Sequence, residues 1–324
     1  MSSHLVHAMD NNHPSERVNC TVQFLDGDSK TFDINANDVG QALYNSVCNH
    51  FKVTETDYFG LKYTVLLSPE KKLSNVFECV PLSQHKKPNA ITEHKFWLQL
   101  NKPMSSQIKR GNWKFEFALK FYPPDPTKLT ETFTRSLVVL QIRTDLLDGR
   151  LPCSFGMLAL LESYCVQAEL GDYVRESRSK YEHNNIFLAK HEPKLLDQIA
   201  EFHKEHKGQT HHEAQMAFLD NVKKLALYGV DLHKARDLHK VPVNIGVNCN
   251  GITVYKDNFR IHRFVWPKIL RFVYKQKHFC IKIRPKEKEN PTWQNWKLDH
   301  FKLAKNLWRI CSDQHTYFRY FSFL

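Results

Sequence analysis

Over residues 18–24 apolar Val18, Cys20, Val22 and Phe24 alternate with polar Asn19, Thr21 and Gln23. That period of two predicts a half-buried strand. Asp26-Gly27-Asp28 supplies a turn, and Thr31-Phe32-Asp33-Ile34 predicts the returning strand. A helix follows, capped by Asn37 or Asp38, with Val39, Leu43 and Val47 on one face. Tyr58–Tyr63 predicts a further strand, and Trp113–Tyr122 alternates again through Phe115, Phe117, Leu119 and Phe121. Pro123-Pro124-Asp125-Pro126 stops it, because proline cannot donate to a ladder. Residues 64–95 mix Pro, Lys, Ser and Asn with short apolar pieces and carry no assignable period.

From Leu129 to Gly229 the period becomes helical. Phe133, Leu137 and Leu140 form one stripe, ended near Gly149. Pro152 opens a second helix with Leu158, Leu161, Cys165 and Ala168 on its stripe, ended at Gly171. Residues 194–207 carry Leu195, Ile199 and Phe202 before Gly208. Thr210 and Glu213 have capping-box spacing ahead of Ala214, Phe218, Val222 and Leu225. Strand signals then return at Val243–Val247, Ile252–Tyr255, Phe259–Phe264, Ile269–Tyr274 and Phe279–Ile283, with Asn250-Gly251 as a hairpin turn. After a loop containing Pro291, one helix closes the chain. It puts Ala304, Leu307, Trp308 and Cys311 on one face and Lys302, Lys305 and Arg309 on the other. The first block reads as a ubiquitin-like roll and the last as a pleckstrin-homology or phosphotyrosine-binding (PH/PTB-like) barrel with a C-terminal helix. The fold class is therefore α+β, multidomain. Expected boundaries are a flexible N-terminus at 1–17 and lobes at 18–122, 123–229 and 230–324.

With 324 residues, 42% of them hydrophobic and 12% aromatic, the chain can build several cores. It has no 18-residue apolar run and no signal-like start, so neither a membrane span nor a secretory leader is expected. Eight scattered cysteines without a C-x-x-C suit reduced thiols in the cytosol.

Charge changes the picture most. The net charge is +12, yet residues 231–324 hold 19 Lys and Arg against 7 Asp and Glu, while residues 1–230 hold 27 of each. The whole excess sits in the last lobe, which calls for an anionic partner. Between Lys256 and Lys288 alone there are 11 basic residues and 2 acidic ones. Near an anionic leaflet each cation contributes about 1 kcal/mol, so three to five would give roughly 3–5 kcal/mol. No nucleic-acid-reading motif accompanies that field, so nucleic acid is not expected as a partner.

Candidate chemistry is sparse. His203, His206, His211 and His212 could in principle ligate zinc, but the breaker Gly208 and the cap Thr210 predict a solvated helix–helix turn, with no metal. Cys153 near a predicted helix start could favour a thiolate, but no Cys-x5-Arg loop or partnering base accompanies it. No phosphate loop, HExxH or G-x-S-x-G occurs. The chain is read as a non-enzyme without a cofactor.

Two spaced patterns remain. One runs Trp97-Leu98, Lys102, Met104, Gln107-Ile108, then Phe121-Tyr122-Pro123-Pro124-Asp125; the other runs Glu213-Ala214, Phe218-Leu219, Val222, Leu225, then Tyr228-Gly229-Val230-Asp231. With Gly149-Arg150-Leu151-Pro152, Gly171-Asp172-Tyr173, Trp266-Pro267-Lys268 and Ile281-Lys282-Ile283-Arg284-Pro285, they resemble the FERM domain, and within it the band 4.1 group, over about residues 18–319. The resemblance implies a ubiquitin-like roll, an acyl-CoA-binding-protein-like helical bundle and a PH/PTB-like lobe. Against that pattern residues 64–95 look inserted, Val174-Arg175-Glu176-Ser177-Arg178 replaces an acidic segment, and the downstream spectrin–actin-binding region is not in this sequence.

The function implied is a cytoplasmic adaptor at the inner face of the plasma membrane, the cell cortex and junctions. It would join tails of transmembrane proteins and phosphoinositide membrane to the actin–spectrin cytoskeleton, with cytoskeletal proteins as indirect partners. Lys268, Arg271, Lys275 and Lys277 are the expected lipid contacts. Phe279, Cys280, Ile281, Leu307, Trp308 and Tyr58 are the expected peptide contacts, a tail adding as a strand beside the last helix. Two other readings are the targeting segment of a FERM-containing non-receptor tyrosine phosphatase and a scaffold that never touches lipid.

Overall fold

β1 (Arg17–Gln23) and β2 (Ser29–Asn35) pair antiparallel in unbroken register from Arg17↔Asn35 to Gln23↔Ser29. β3 (Phe59–Leu67), β4 (Thr92–Trp97) and β5 (Lys114–Leu119) complete a five-stranded sheet of order β2-β1-β5-β3-β4, with β5 parallel to β1. α1 (Gly40–Phe51) buries Leu43 and Val47, and Cys20, Val22, Phe115 and Phe117 are buried with them. The computed structural model describes residues 16–68, 91–108, 112–174, 181, 192–257, 259–284 and 290–321. The expected N-terminal tail thus lies almost wholly outside the described residues, as does residue range 69–90 of the expected insertion. Its two flanks, however, are strand: residues 64–67 extend β3 and residues 92–95 begin β4.

The helix cap differs from expectation. Neither Asn37 nor Asp38 caps α1; Val39 occupies the cap position with no side-chain bond. The first amides bond elsewhere, Gly40 N to Lys102 O (3.0 Å) and Gln41 N to Leu100 O (2.9 Å). That loop is tied by Gln107, whose Oε1 accepts from Gln99 N at 2.8 Å and whose Nε2 donates to Gln99 O at 2.9 Å and Lys102 O at 3.1 Å. A β-carbon on Gly40 would stand 2.8 Å from Gln99 O, so the approach requires glycine. The Trp97…Gln107 pattern is therefore a loop that caps a helix.

This first compact unit takes in residues 1–56, 60–64 and 95–118; the second takes in 57–59, 65–94 and 119–324. The second begins with helices α2 (Thr132–Leu147), α3 (Phe155–Leu170), α4 (Pro193–Glu205) and α5 (His211–Val222). α2 departs from its predicted stripe: Phe133 is exposed, and Leu137, Val138 and Ile142 face the core together with polar Thr134, Gln141 and Arg143. Arg143 is 1% exposed and bridges Glu162 (2.7 Å) and Glu169 (2.6 Å) on α3. A buried cation is tolerable only when paired in this way. Ser154, not Pro152, caps α3 by accepting from Met157 N. The Thr210–Glu213 capping box forms as predicted.

Residues 119–125 run between these helices and the last helix, α6 (Phe301–Phe321). Leu119 N donates to Gln141 Oε1 (3.0 Å), and Gln141 Nε2 donates to Asp145 Oδ1 (3.0 Å). Asp145 also accepts from the Tyr122 hydroxyl. Phe121 stacks on Tyr317 of α6 at 4.0 Å, and Lys120 Nζ pairs with Asp313 at 2.7 Å. Tyr228 donates to Pro123 O (2.9 Å), while Lys223 pairs with Asp125 (2.9 Å).

The C-terminal sheet has seven strands, β6 (Asp231–Arg236), β7 (Pro242–Asn248), β8 (Gly251–Lys256), β9 (Phe259–Val265), β10 (Ile269–Lys275), β11 (His278–Ile283) and β12 (Thr292–Lys297). Their order is β10-β11-β12-β6-β7-β8-β9, so β9 and β10 are edges, and β12 meets β6 through one pair, Lys297↔Arg236. The strand pattern had missed β6 and β12. Both are too polar to alternate, and the place expected to hold only a loop after Pro291 holds β12.

Gly229 combines φ +65° with a position where a β-carbon would lie 2.7 Å from Tyr122 Cβ. Gly229→Ala is expected to lower unfolding free energy by about 1–3 kcal/mol, read by urea denaturation, through both left-handed strain and overpacking. An unchanged midpoint would contradict the tight junction.

Candidate peptide- and anion-binding site

β11 is an interior strand, paired to β10 on one side and β12 on the other. Its backbone has no free edge for an added strand. Phe279, Ile281 and Leu307 are fully buried, and Cys280 is half-buried. The expectation that Phe279, Ile281 and Leu307 line a peptide surface is corrected, because they form the core between sheet and helix, whereas Cys280 lies on the opposite face of the strand. The edge beside α6 is β10. Trp308 is half-buried and donates its indole N–H to Phe272 O of β10 at 3.1 Å, with Tyr274 against its ring at 5.6 Å. It pins the helix to the edge strand.

Where β10 begins and α6 ends, a hollow of about 1100 Å³ opens. Trp266, Ile269, Leu270, Tyr317 and Phe318 give it an apolar lining, and Tyr58 joins them, so this sequence-predicted residue does meet a concave surface. Lys128, Arg284 and Arg319 also line it. The one carboxylate in its lining, Asp125, is engaged by Thr127 and Lys223, which hold it below the usual carboxylate range. Trp266 is locked by donating to Cys249 O at 2.9 Å. The arrangement suits an apolar or aromatic side chain flanked by acidic groups.

Cross-strand register sorts the cations. Phe272 and Tyr274 oppose buried Ile281 and Phe279, so they belong to the inner face. The other face carries three rows: Lys275–His278–Lys297, Val273–Cys280–Asn295 and Arg271–Lys282–Trp293. Four cations and a histidine share it, and these rows contain no acid. Arg271 and Lys282 are directly opposed, a like-charge pair that costs stability. Lys282 sits 5.9 Å from the Trp293 ring centre, and His278 bonds Asn295 at 3.1 Å. Of the predicted lipid contacts, Arg271 and Lys275 lie on this face. Exposed Lys268 lies in the turn before β10, and half-buried Lys277 follows it. Lys277 lines a smaller hollow of about 380 Å³ with Arg236, Lys240 and Lys297. Lys282 and Lys297 were not singled out from sequence; β12 had to be placed before Lys297 could be seen beside Lys275.

The histidines do not lie together on a solvated turn. His203 and His206 are buried, whereas His211 and His212 are exposed. His203 Nε2 is 2.8 Å from Gly171 O, which can only accept, so Nδ1 (2.8 Å from Tyr181 Oη) takes the tyrosine proton. His206 Nε2 is 2.8 Å from Ser163 Oγ, and its ring stacks on Tyr164 at 4.3 Å. Burial lowers the pKa of both, and His203 lowers that of His206 further. Cys153 is half-exposed and precedes the α3 cap, and burial pushes its thiol up, opposite to an activated thiolate.

Residues 22–77 match the FERM N-terminal domain, 124–233 the FERM central domain and 237–322 the FERM C-terminal PH-like domain. The chain belongs to the FERM family. It is 42% identical to human Band 4.1-like protein 3 over 304 residues, covering 93% of this chain and 26% of that protein. It is 41% identical to human Protein 4.1 over 304 residues, covering 93% and 32%. The chain thus spans about a quarter to a third of the length of these band 4.1 relatives. The fold resembles that in the crystal structure of the FERM and C-terminal domain complex of Drosophila Merlin, with a TM-score of 0.73 at 20% identity, covering 93% of this chain and 96% of that one. The MyTH4-FERM MF1 domain of Dictyostelium discoideum Myosin VII gives a TM-score of 0.60 at 14% identity, over 94% and 60%. The two spaced patterns correspond to the helix-capping loop and to the contacts of Tyr228 and Gly229 with Pro123 and Tyr122. No helix among the described residues is long and apolar enough to cross a membrane.

Because the folded state holds His203 and His206 neutral, the unfolded chain, titrating near 6.5, binds protons more readily. Their contribution to stability is complete above pH 6.5 and is lost as pH falls through the lowered folded values. The thermal midpoint is expected to drop between pH 7 and pH 5, with a smaller drop in a His203→Gln/His206→Gln variant. Equal drops in both proteins would contradict the assignment.

Proposed function

We propose that this FERM chain is an adaptor that holds cytoplasmic tails of transmembrane proteins against an anionic, phosphoinositide-bearing inner leaflet and joins them to the cortical actin–spectrin cytoskeleton. The observation that carries the reading is the cationic outer face of β10–β11–β12, where Arg271 opposes Lys282 and Lys275, His278 and Lys297 form a row. Like charges so opposed are costly alone and are relieved by an anionic surface. The hollow beside β10 supplies the second contact, for a tail bearing an aromatic or aliphatic anchor among acidic residues. Simultaneous tail and lipid contacts reinforce each other through effective concentration, so neither needs to be strong. Kinship with band 4.1 proteins supports the cytoskeletal link and a place at the cell cortex and junctions. It also favours this reading over the targeting segment of a phosphatase.

Flotation with phosphatidylcholine vesicles, with and without phosphatidylserine and phosphoinositide, tests the lipid contact. Wild type is expected to bind the anionic vesicles and to be released by salt. Arg271→Glu/Lys275→Glu/Lys297→Glu should weaken binding about 100-fold or more, at about 1 kcal/mol for each cation lost. Binding that ignores both salt and these substitutions would overturn the proposal.

A further inference from the structure

The opposite edge of the same sheet has a different chemistry. β9 exposes five consecutive residues, Phe259, Arg260, Ile261, His262 and Arg263. Phe259 is 77% exposed and stands opposite Lys256, the pair that closes the β8–β9 hairpin. Ile261 is 45% exposed and falls where the ladder slips, between the pairs Tyr255↔Arg260 and Val254↔His262. By register Phe259 and His262 share one face, on which His262 stacks with Phe264 at 6.0 Å, while Arg260 and Arg263 share the other. The hairpin end thus combines an uncovered aromatic and an uncovered isoleucine with Lys256, Arg260 and Arg263. Asp257, in the turn at φ +48°, is the acid among them.

This combination discriminates between possible occupants. A second copy pairing edge to edge would bring the arginines of one β9 toward those of the other, and basic residues and bulges on an edge oppose such pairing. An anionic bilayer meets both chemistries at once: the cations face headgroups while the aromatic ring enters the boundary with the acyl chains. We propose that the β8–β9 hairpin end is a membrane-entry element, with Phe259 and Ile261 as the inserted groups and Lys256, Arg260 and Arg263 as their headgroup contacts. The inference rests on the anionic-membrane reading above and adds a hydrophobic contact on a separate edge.

The test uses the whole chain and vesicles of phosphatidylcholine with phosphatidylserine and phosphoinositide, as in the flotation test above. Phe259→Ser, at so exposed a position, leaves the core untouched and is expected to weaken vesicle binding about tenfold. Phe259→Trp on vesicles with brominated acyl chains should show fluorescence quenching beyond that of the six native tryptophans in wild type. If Phe259→Ser binds like wild type and Phe259→Trp gains no quenching, while the β10–β12 charge reversal still abolishes binding, the entry element is refuted and the adaptor reading survives. If wild type fails to bind these vesicles at all, both fail. Vesicle-independent dimerisation lost in Phe259→Ser would assign the edge to a second copy and overturn the proposal.

Discussion

The second compact unit depends on one hydrogen-bonded strip, residues 119–125. Its amide at Leu119 is taken by Gln141, its tyrosine by Asp145, its carbonyl at Pro123 by Tyr228 and its carboxylate at Asp125 by Lys223. On its other side Phe121 stacks on Tyr317 and Lys120 pairs with Asp313. Buried polar groups must be paired, and here the pairings fasten the strip to α2, to the end of α5 with the turn after it, and to α6. Once the strip is held, α6 is set against the entrance to the helical lobe, and the hollow beside β10 acquires its walls.

The same rule governs the helical lobe. Arg143 with Glu162 and Glu169, and His203 with Tyr181 and Gly171, place polar groups where an apolar stripe was expected. Such networks have little tolerance for partial satisfaction and favour one arrangement of helices. They also explain why α2 lacks a clean amphipathic period: two of its buried positions, Arg135 and Arg143, are arginines. The cationic rows lie instead on the outer face of β10–β12, where strand geometry sorts side chains without needing them buried.

Much of the fold was legible beforehand. The β1–β2 hairpin, the Thr210 capping box, the Asn250-Gly251 turn and the core face of α6 each rest on a local signal of a few residues. The candidate site was legible in sign more than in place. The charge excess of the last lobe pointed to an anionic partner; Arg271 and Lys275 lie on the cationic face, and Tyr58 lines the hollow beside β10. The peptide contacts placed on β11 failed because apolar alternation cannot distinguish an interior strand from an edge.

By itself the chain's order of residues determined the secondary-structure periods, the turns, the concentration of cations after residue 230 and the FERM kinship. Those are local or additive properties that need no knowledge of neighbours across space. Only the tertiary structure decided that Lys297 stands in a row with Lys275, that β10 rather than β11 is the open strand, that His203 is buried while His211 is not, and that the first amides of α1 are capped by the loop that carries Leu100 and Lys102. Each of these is set by pairing register or by long-range hydrogen bonds, where a one-residue slip would turn a cation from the outer face to the core.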